Sequence, residues 1–417
     1  MRIQNLRLFP RDTFASLRIR NYRLYFIGQA FSLSGTWMQT IALGWIVLQL
    51  THSGVQLGFV TAMQFLPILL FGAWGGVIVD RFDKRRLLIW TQAAFAILAV
   101  GIAALLYFDL IQVWMIYVYS LALGLVRIYD NPARQTFVSE MVPPAEVKNA
   151  VSLNATENNL ARAIGPSIGG GIIAVLGTAS CFLVNGISYI AVIIMLMRMR
   201  DAELHERTIV PRRRGQLMEG LRYANAMPFI RNTLIMLALV GTFSYEFQVT
   251  LPILAEETFH AGAAGYAALM TAFGIGAGVG GLFAAGRRRL SEDQLFLFLA
   301  LFGASILLPA LAPSLHFAVA GMVVVGVFSI NVISLGSTML QLAAEPAMRG
   351  RVMSLWSVAM VGSTPIGGPL VGAISEHFGG RAGLLLGGIV ALVTALAAVL
   401  FKRRAARRRG PASTSPE

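Results

Sequence analysis

A chain of 417 residues that is 56% apolar and only 13% charged, with a mean hydropathy of +0.68, falls outside the ordinary soluble class, in which about a quarter of residues carry charge. Its net charge of +14 would point to nucleic acid in a soluble domain. Here the Arg and Lys crowd into the two ends and a few short connections between apolar runs, which excludes that reading and marks a membrane topology.

In chain order, residues 1–21 form a basic polar arm carrying Arg2, Arg7, Arg11, Arg18 and Arg20, without the apolar core and cleavage site of a removable signal, so the first span is expected to act as its own insertion signal. Twelve apolar runs follow, at 22–50, 57–79, 87–108, 113–128, 150–176, 179–197, 233–254, 266–285, 295–311, 317–335, 352–374 and 382–401. Crossing a bilayer as a helix takes about 20 residues. The expected fold is therefore all-α and polytopic: twelve transmembrane helices in two pseudo-symmetric six-helix bundles, 22–197 and 233–401. They are joined by a cytoplasmic linker, 198–232, and followed by a basic tail, 402–417. In the linker, Arg212, Arg213 and Arg214 precede Leu217, Leu221, Tyr223 and Met227, a pattern that suits a surface helix.

Basic residues in short loops are retained on the cytoplasmic side, and the connections on the opposite side contain only Arg381. Both termini are thus expected in the cytoplasm. Duplication is written into the chain: an offset of 202 places Pro144-Ala145 on Pro346-Ala347, Ser152-Leu153 on Ser354-Leu355, Gly165 on Gly367, Gly170 on Gly372 and Gly177 on Gly379. An offset of 206 places Gly35-Thr36 on Gly241-Thr242.

Between the second and third spans the run from Gly75 to Leu88 is a charged knot that must sit in water. It holds Gly76, Asp80, Arg81 and Arg85. By charge pattern alone, Asp80 balances Arg81 in a solvated turn. At the end of the fourth span, Arg127 and Asp130 are three apart and are expected to form a structural ion pair. The fifth span carries Asn154, Asn158 and Arg162 on one helical face, with Glu157 nearby; Glu157 and Arg162 are candidates for proton coupling or gating, and Glu157 has the alternative of snorkelling toward a basic loop. Gly165-Pro166 in the same span is either a packing kink or a conformational joint, and Gly367-Gly368-Pro369 repeats the device in the eleventh.

Ionisable groups within spans are costly and usually functional. Glu246, near the centre of the seventh span beside Tyr245, Gln248 and Thr250, is the leading candidate to load and release a proton; the alternative is a structural carboxyl satisfied by a neighbouring hydroxyl. Its counterpart in the first half is Thr40, so such a site would be asymmetric. The single cysteine, Cys181, allows no intrachain disulfide and no cysteine metal cluster. No Walker loop, zinc-ligand spacing or Gly-x-Ser-x-Gly occurs, so the chain is read as neither an enzyme nor a cofactor-binding protein, and an ion gradient must drive it.

The loop Gly76–Leu88, together with Arg20-Asn21-Tyr22-Arg23-Leu24-Tyr25, Asn131-Pro132-Ala133, Asn149-Ala150 and the run from Arg162 through Gly165, Pro166, Gly169 and Gly170, resembles the major facilitator superfamily, and within it the drug:proton antiporter group that includes macrolide exporters and the enterobactin exporter. The resemblance covers nearly the whole chain. It implies helices one, four, seven and ten around a cavity, to which Gln29, Thr36, Gln39, Thr40, Phe243, Tyr245 and Asn331 would contribute. It further implies a monomeric proton-coupled exporter in the bacterial cytoplasmic membrane, and the sparse charge and many aromatics suit a lipophilic or amphipathic small molecule. An importer or facilitator of a small metabolite, or a non-transporting sensor or scaffold, are the alternatives. The Gly165–Gly170 run is associated with export in similar antiporters. Asp80 is implied to brace the cytoplasmic start of the eleventh helix, near Gly350 to Ser354, where exposed N–H groups favour a carboxylate; the matching second-half run Arg287-Arg288-Arg289 lacks the acid. Asp80→Asn is accordingly expected to shift the protein toward an inward-facing state, and unchanged periplasmic labelling of engineered cysteines would refute the latch.

Overall fold

The computed structural model describes residues 14–79, 81–205, 216–285, 287, 290–346 and 348–408, with backbone alone at 73–77, 216–217, 285 and 405–408. Asp80 and Arg212 to Arg214 lie outside the described residues. Among those described there is no strand.

Among the described residues, twelve helical stretches are long and apolar enough to cross a membrane. Ten are single helices: α1 (Arg20–Thr51), α2 (Gly54–Val79), α3 (Lys84–Tyr107), α4 (Val113–Phe137), α5 (Val147–Leu176), α6 (Thr178–Met197), and, after a short amphipathic α7 (Gln216–Ala226), α10 (Gly262–Ala285), α11 (Glu292–Ala310), α12 (Leu315–Ala343) and α15 (Gly380–Arg408). The seventh and eleventh spans, read as continuous from the sequence, are each interrupted. The seventh is α8 (Pro228–Ser244) followed by α9 (Phe247–Ile253) and a wide turn, and the eleventh is α13 (Arg349–Met360) followed by α14 (Thr364–Phe378).

Local chemistry accounts for several boundaries. Pro365 has no N–H to give the carbonyl of Val361, and its ring crowds that carbonyl, so the helical ladder stops between Met360 and Thr364. Asp83 accepts a 2.8 Å bond from the backbone N–H of Arg86 and so starts α3, while Ser291 does the same for Gln294 in α11. The duplication read from the offset of 202 has a physical mark: Gly177 (φ +79°) ends α5 and Gly379 (φ +88°) ends α14, two matched joints in a conformation that a Cβ disfavours.

The described chain gathers into two compact units, Met1–Ala42 with Leu70–Arg212, and Leu43–Leu69 with Arg213–Glu417. In the first, a core of Tyr22, Tyr25, Val79, Leu88, Phe137, Met141, Ala150 and Leu196 fills the basic end. Polar groups clamp that end together. Asn21 exchanges two bonds with the backbone of Arg200, at 2.9 and 3.1 Å, Tyr22 donates to the carbonyl of Ala150 at 2.8 Å, and Asn149 accepts from the N–H of Ser16. Lys84 pairs with Glu140 at 2.8 Å. Arg85 donates to Asp201 and to the carbonyls of Leu196 and Met197, fastening the start of α3 to the end of α6.

In the second unit, helices meet backbone to backbone through small residues. Gly276 and Gly280 of α10 lie on the carbonyls of Val323 and Val327 of α12, and Gly326 lies on that of Phe273. The tip formed by the end of α1 and the start of α2 belongs to this unit as well. Gly54 faces Gly372, and Gly58 faces Gly368, one turn apart on each helix and running in opposite directions. One turn further along α14, Glu376 accepts from the Ser53 hydroxyl and, at 3.0 Å, from the N–H of Val55, closing the free end of α2. A side chain at position 58 would run into the carbonyl of Gly368. Gly58→Val is therefore expected to cost about 1–3 kcal/mol, seen as a lowered unfolding midpoint by circular dichroism in detergent, whereas Gly101→Ala, in open space, should change the midpoint little.

Candidate functional site

The interruption of the seventh span places an acid at its break. α8 stops at Ser244, α9 starts at Phe247, and Glu246 is the residue at the joint, only 4% exposed. Neighbouring side chains anchor the broken turn. Ser244 donates to the carbonyl of Gly387 on α15 at 2.7 Å, and Tyr245 donates to that of Ser329 on α12 at 3.0 Å while stacking on Phe302, centroids 4.9 Å apart. The second break comes to the same place. Thr364, the first residue of α14, offers its hydroxyl to the Glu246 carboxyl, whose Oε1 lies over Gly367 and has no hydrogen-bond partner among the described residues. Gly367 is there because its Cβ position would fall on the carbonyl of Thr242. Two interrupted helices thus enclose one buried, half-satisfied carboxyl, and an ionisable side chain inside a span is costly and usually functional.

The first unit holds two acids of opposite character. Asp130, on α4 and 2% exposed, is saturated: Thr91 and Gln92 of α3 donate to it at 2.8 and 2.9 Å, and Arg134 pairs with it at 2.6 Å. Asp130 forms an ion pair with Arg134, one full turn along, and Arg127 lies within the electrostatic reach of Asp130. A separation of four carries the side chain directly over Asp130, and Arg134 also reaches Gln29 on α1. Glu157, on α5 and 5% exposed, has neither carboxyl oxygen hydrogen-bonded among the described residues. It lies within the electrostatic reach of Arg134 and of the Tyr22 and Tyr25 hydroxyls.

The remaining expected residues divide between these centres and the helix contacts. Gln39 donates to Tyr119 on α4 and accepts from Asn185 on α6 at 2.6 Å; Thr36 meets Tyr189 at 3.3 Å. Thr40 turns back to the carbonyl of Thr36. These groups hold α1 against α4 and α6. Arg162 lies over the Trp37 ring at 4.9 Å. Gly165 and Gly169 bring α5 onto Ser34, Trp37 and Met38 of α1, and Pro166 and Gly170 are buried beside them. Phe243 is half-buried next to the Glu246 joint. Asn331 is fully buried, donates to the carbonyls of Val327 and Gly280 and accepts from Arg287, so it holds α12 to α10. Gly76 lies in the last turns of α2, and Arg81 is exposed just beyond them. Thr364, Arg134 and Asn185 went unread in the sequence; for Arg134 the signal was its spacing of four from Asp130, and for Thr364 it was the proline that follows. Among the described residues no set of three or more His, Cys, Asp or Glu is placed to hold a metal ion.

A family model described as transmembrane secretion effector matches residues 11–415. The chain belongs to that family of the major facilitator superfamily, and it is a multi-pass membrane transporter. Among its relatives, the staphyloferrin A transporter of Staphylococcus aureus is 29% identical over 60% of this chain and 64% of that protein, so the match spans just under two thirds of the relative's length. The multidrug efflux pump Tap of Mycolicibacterium fortuitum is 25% identical over 89% of this chain and 93% of the pump. The crystal structure of a POT family transporter in complex with 5-aminolevulinic acid superposes with a TM-score of 0.74 at 13% identity, covering 92% and 96% of the two chains, a likeness of fold.

The saturated pair gives a direct test of which polar groups hold the transporter together. Arg134→Ala strands the Asp130 carboxylate in a dry core and is expected to cost about 3–5 kcal/mol. The double variant Asp130→Asn with Arg134→Gln, which removes both charges, should recover most of that loss in the thermal unfolding midpoint. An Arg134→Ala midpoint equal to that of the parent would contradict a structural pair.

Proposed function

We propose that this transporter is a proton-coupled exporter of lipophilic or amphipathic small molecules, hydrophobic drugs or siderophore-like metabolites, working by alternating access as a monomer in the bacterial cytoplasmic membrane with both termini in the cytoplasm. The observation that carries this reading is Glu246, a buried carboxyl at a helix joint, held by one hydroxyl and left with an open oxygen.

A carboxylate without water or a counter-cation is strongly disfavoured, so such a group stays neutral by keeping a proton until it meets water or a cation. Exchange of that proton on one side of the membrane and its release on the other links the acid to the cycle. Interrupted helices suit the task because the joints at Tyr245–Glu246 and Val361–Ser363 let each span pivot without breaking a continuous ladder. Glu157 is a second acceptor of the same kind, in the field of Arg134. Asp130, fully paired, is assigned a structural role. Cargo chemistry follows from the aromatic character around the joint, where Tyr245, Phe247, Phe273 and Phe302 form a linked cluster. Efflux by the relative Tap supports export, and the staphyloferrin A relative supports a metabolite cargo.

Purified protein in proteoliposomes with an internal pH dye, challenged with macrolide, tetracycline, dye and catecholate compounds, should show proton flux that depends on one cargo. Glu246→Gln is expected to lower that coupled flux at least tenfold while cargo binding persists. Full coupling in Glu246→Gln would remove Glu246 from the mechanism, and a loss in Glu157→Gln alone would move the role to the first unit.

A further inference from the structure

At the end of α10 the second unit has a groove that the transport reading does not use. It measures about 590 Å³ and is lined by Leu282 and Phe283 of α10, Phe298 of α11, Val327, Phe328 and Asn331 of α12, and Arg287 just past the end of α10. Its walls are apolar and open: Leu282 is 78% and Phe283 68% exposed, and the Phe298 and Phe328 rings lie 6.2 Å apart along it. In a protein surrounded by lipid, such walls face acyl chains.

The polar end of the groove is one cation. Arg287 lies over the Phe298 ring, 4.5 Å from its centre, and its Nη2 donates to Asn331 Oδ1 at 2.7 Å. Asn331 is fixed in turn by its bonds to Val327 and Gly280, so the guanidinium is held in one pose. No acid pairs with it among the described residues. The nearest acids in the chain, Glu292 and Asp293, face Lys402 at 3.5 and 2.7 Å. A guanidinium carries five N–H donors in a fork that suits phosphate, and one bond to an amide leaves most of that edge open. Arg288 and Arg289 follow in the sequence.

We infer that this groove is a binding site for an anionic glycerophospholipid of the leaflet on the basic side of the protein, its phosphodiester on the open N–H edge of Arg287 and one acyl chain along Leu282, Phe283 and Phe328. The charge fits an anionic lipid better than a zwitterionic one, because the headgroup of the latter brings a second cation toward the arginine run. The site is independent of Glu246 and of the cargo.

Full-length protein in nanodiscs of equal phosphatidylglycerol and phosphatidylcholine, released and weighed by native mass spectrometry, tests the assignment. The parent should retain phosphatidylglycerol in preference, Arg287→Lys should keep most of the preference, and Arg287→Gln should reduce it about fivefold, the effect of one cation near a membrane surface. Equal retention of the two lipids by the parent, or an unchanged preference in Arg287→Gln, overturns the proposal. A second measurement needs no variant. Photoactivatable phosphatidylglycerol should label the segment 282–298 of the parent more than the phosphatidylcholine probe does. Equal labelling by both overturns the proposal, as does loss of the label in millimolar inorganic phosphate, which would mark a site for free phosphate instead.

Discussion

Hydrocarbon offers no hydrogen bonds, and that constraint governs every polar group inside the spans. A backbone or side-chain group placed there must find its partner within the protein or carry a cost of several kcal/mol. Asp130 meets the constraint with three donor atoms, one each from Thr91, Gln92 and Arg134, and Gln39 meets it with Tyr119 and Asn185. Glu246 does not meet it in full, and neither does Glu157. The contrast separates polar groups that tie helices together from those kept reactive. It also explains why the joint at Glu246 lies where Ser244 and Tyr245 each find a carbonyl on another helix: a broken turn persists in a dry setting only when the groups around it are anchored.

The same constraint shapes the helix contacts. Lipid tails are as apolar as leucine, so helices gain little from burying large apolar surfaces and associate instead by close backbone approach. Gly54 with Gly372, Gly58 with Gly368, and Gly276 with Val323 follow that rule in the second unit, as Gly165 and Gly169 against α1 do in the first. At the basic end of the first unit water is available, and the devices change accordingly: an ion pair between Lys84 and Glu140, the fork of Arg85 on Asp201 and the end of α6, and a cap by Asp83. The arginine count that reads as topology in the sequence therefore also fastens helix ends.

Much of the fold was legible because its signal is length and composition. Twelve apolar runs became twelve helical stretches, and an offset of 202 between Gly177 and Gly379 became two joints with the same backbone. The breaks in the seventh and eleventh spans were not legible from hydropathy, since an apolar run averages over them. Pro365 announced one of them by its missing N–H; nothing comparable stands at Tyr245–Glu246. The acids themselves were visible as charges in apolar runs, but their partners depend on which helices are neighbours. Arg127 and Arg134 stand near Asp130 in one short stretch, whereas only the packing of α3 on α4 reveals Thr91 and Gln92. The bonds that Asn331 and Thr36 make between helices likewise depend on which helices are neighbours.

The central claim is that the Glu246 carboxyl holds a proton which responds to cargo. Infrared difference spectroscopy on the full-length transporter in lipid, recorded before and after cargo is added, reads this at the level of the bond. The account predicts a protonated-carboxyl C=O band whose intensity changes with cargo and which is missing from the Glu246→Gln difference spectrum. A carboxyl difference band that is the same in the parent and in Glu246→Gln would contradict it.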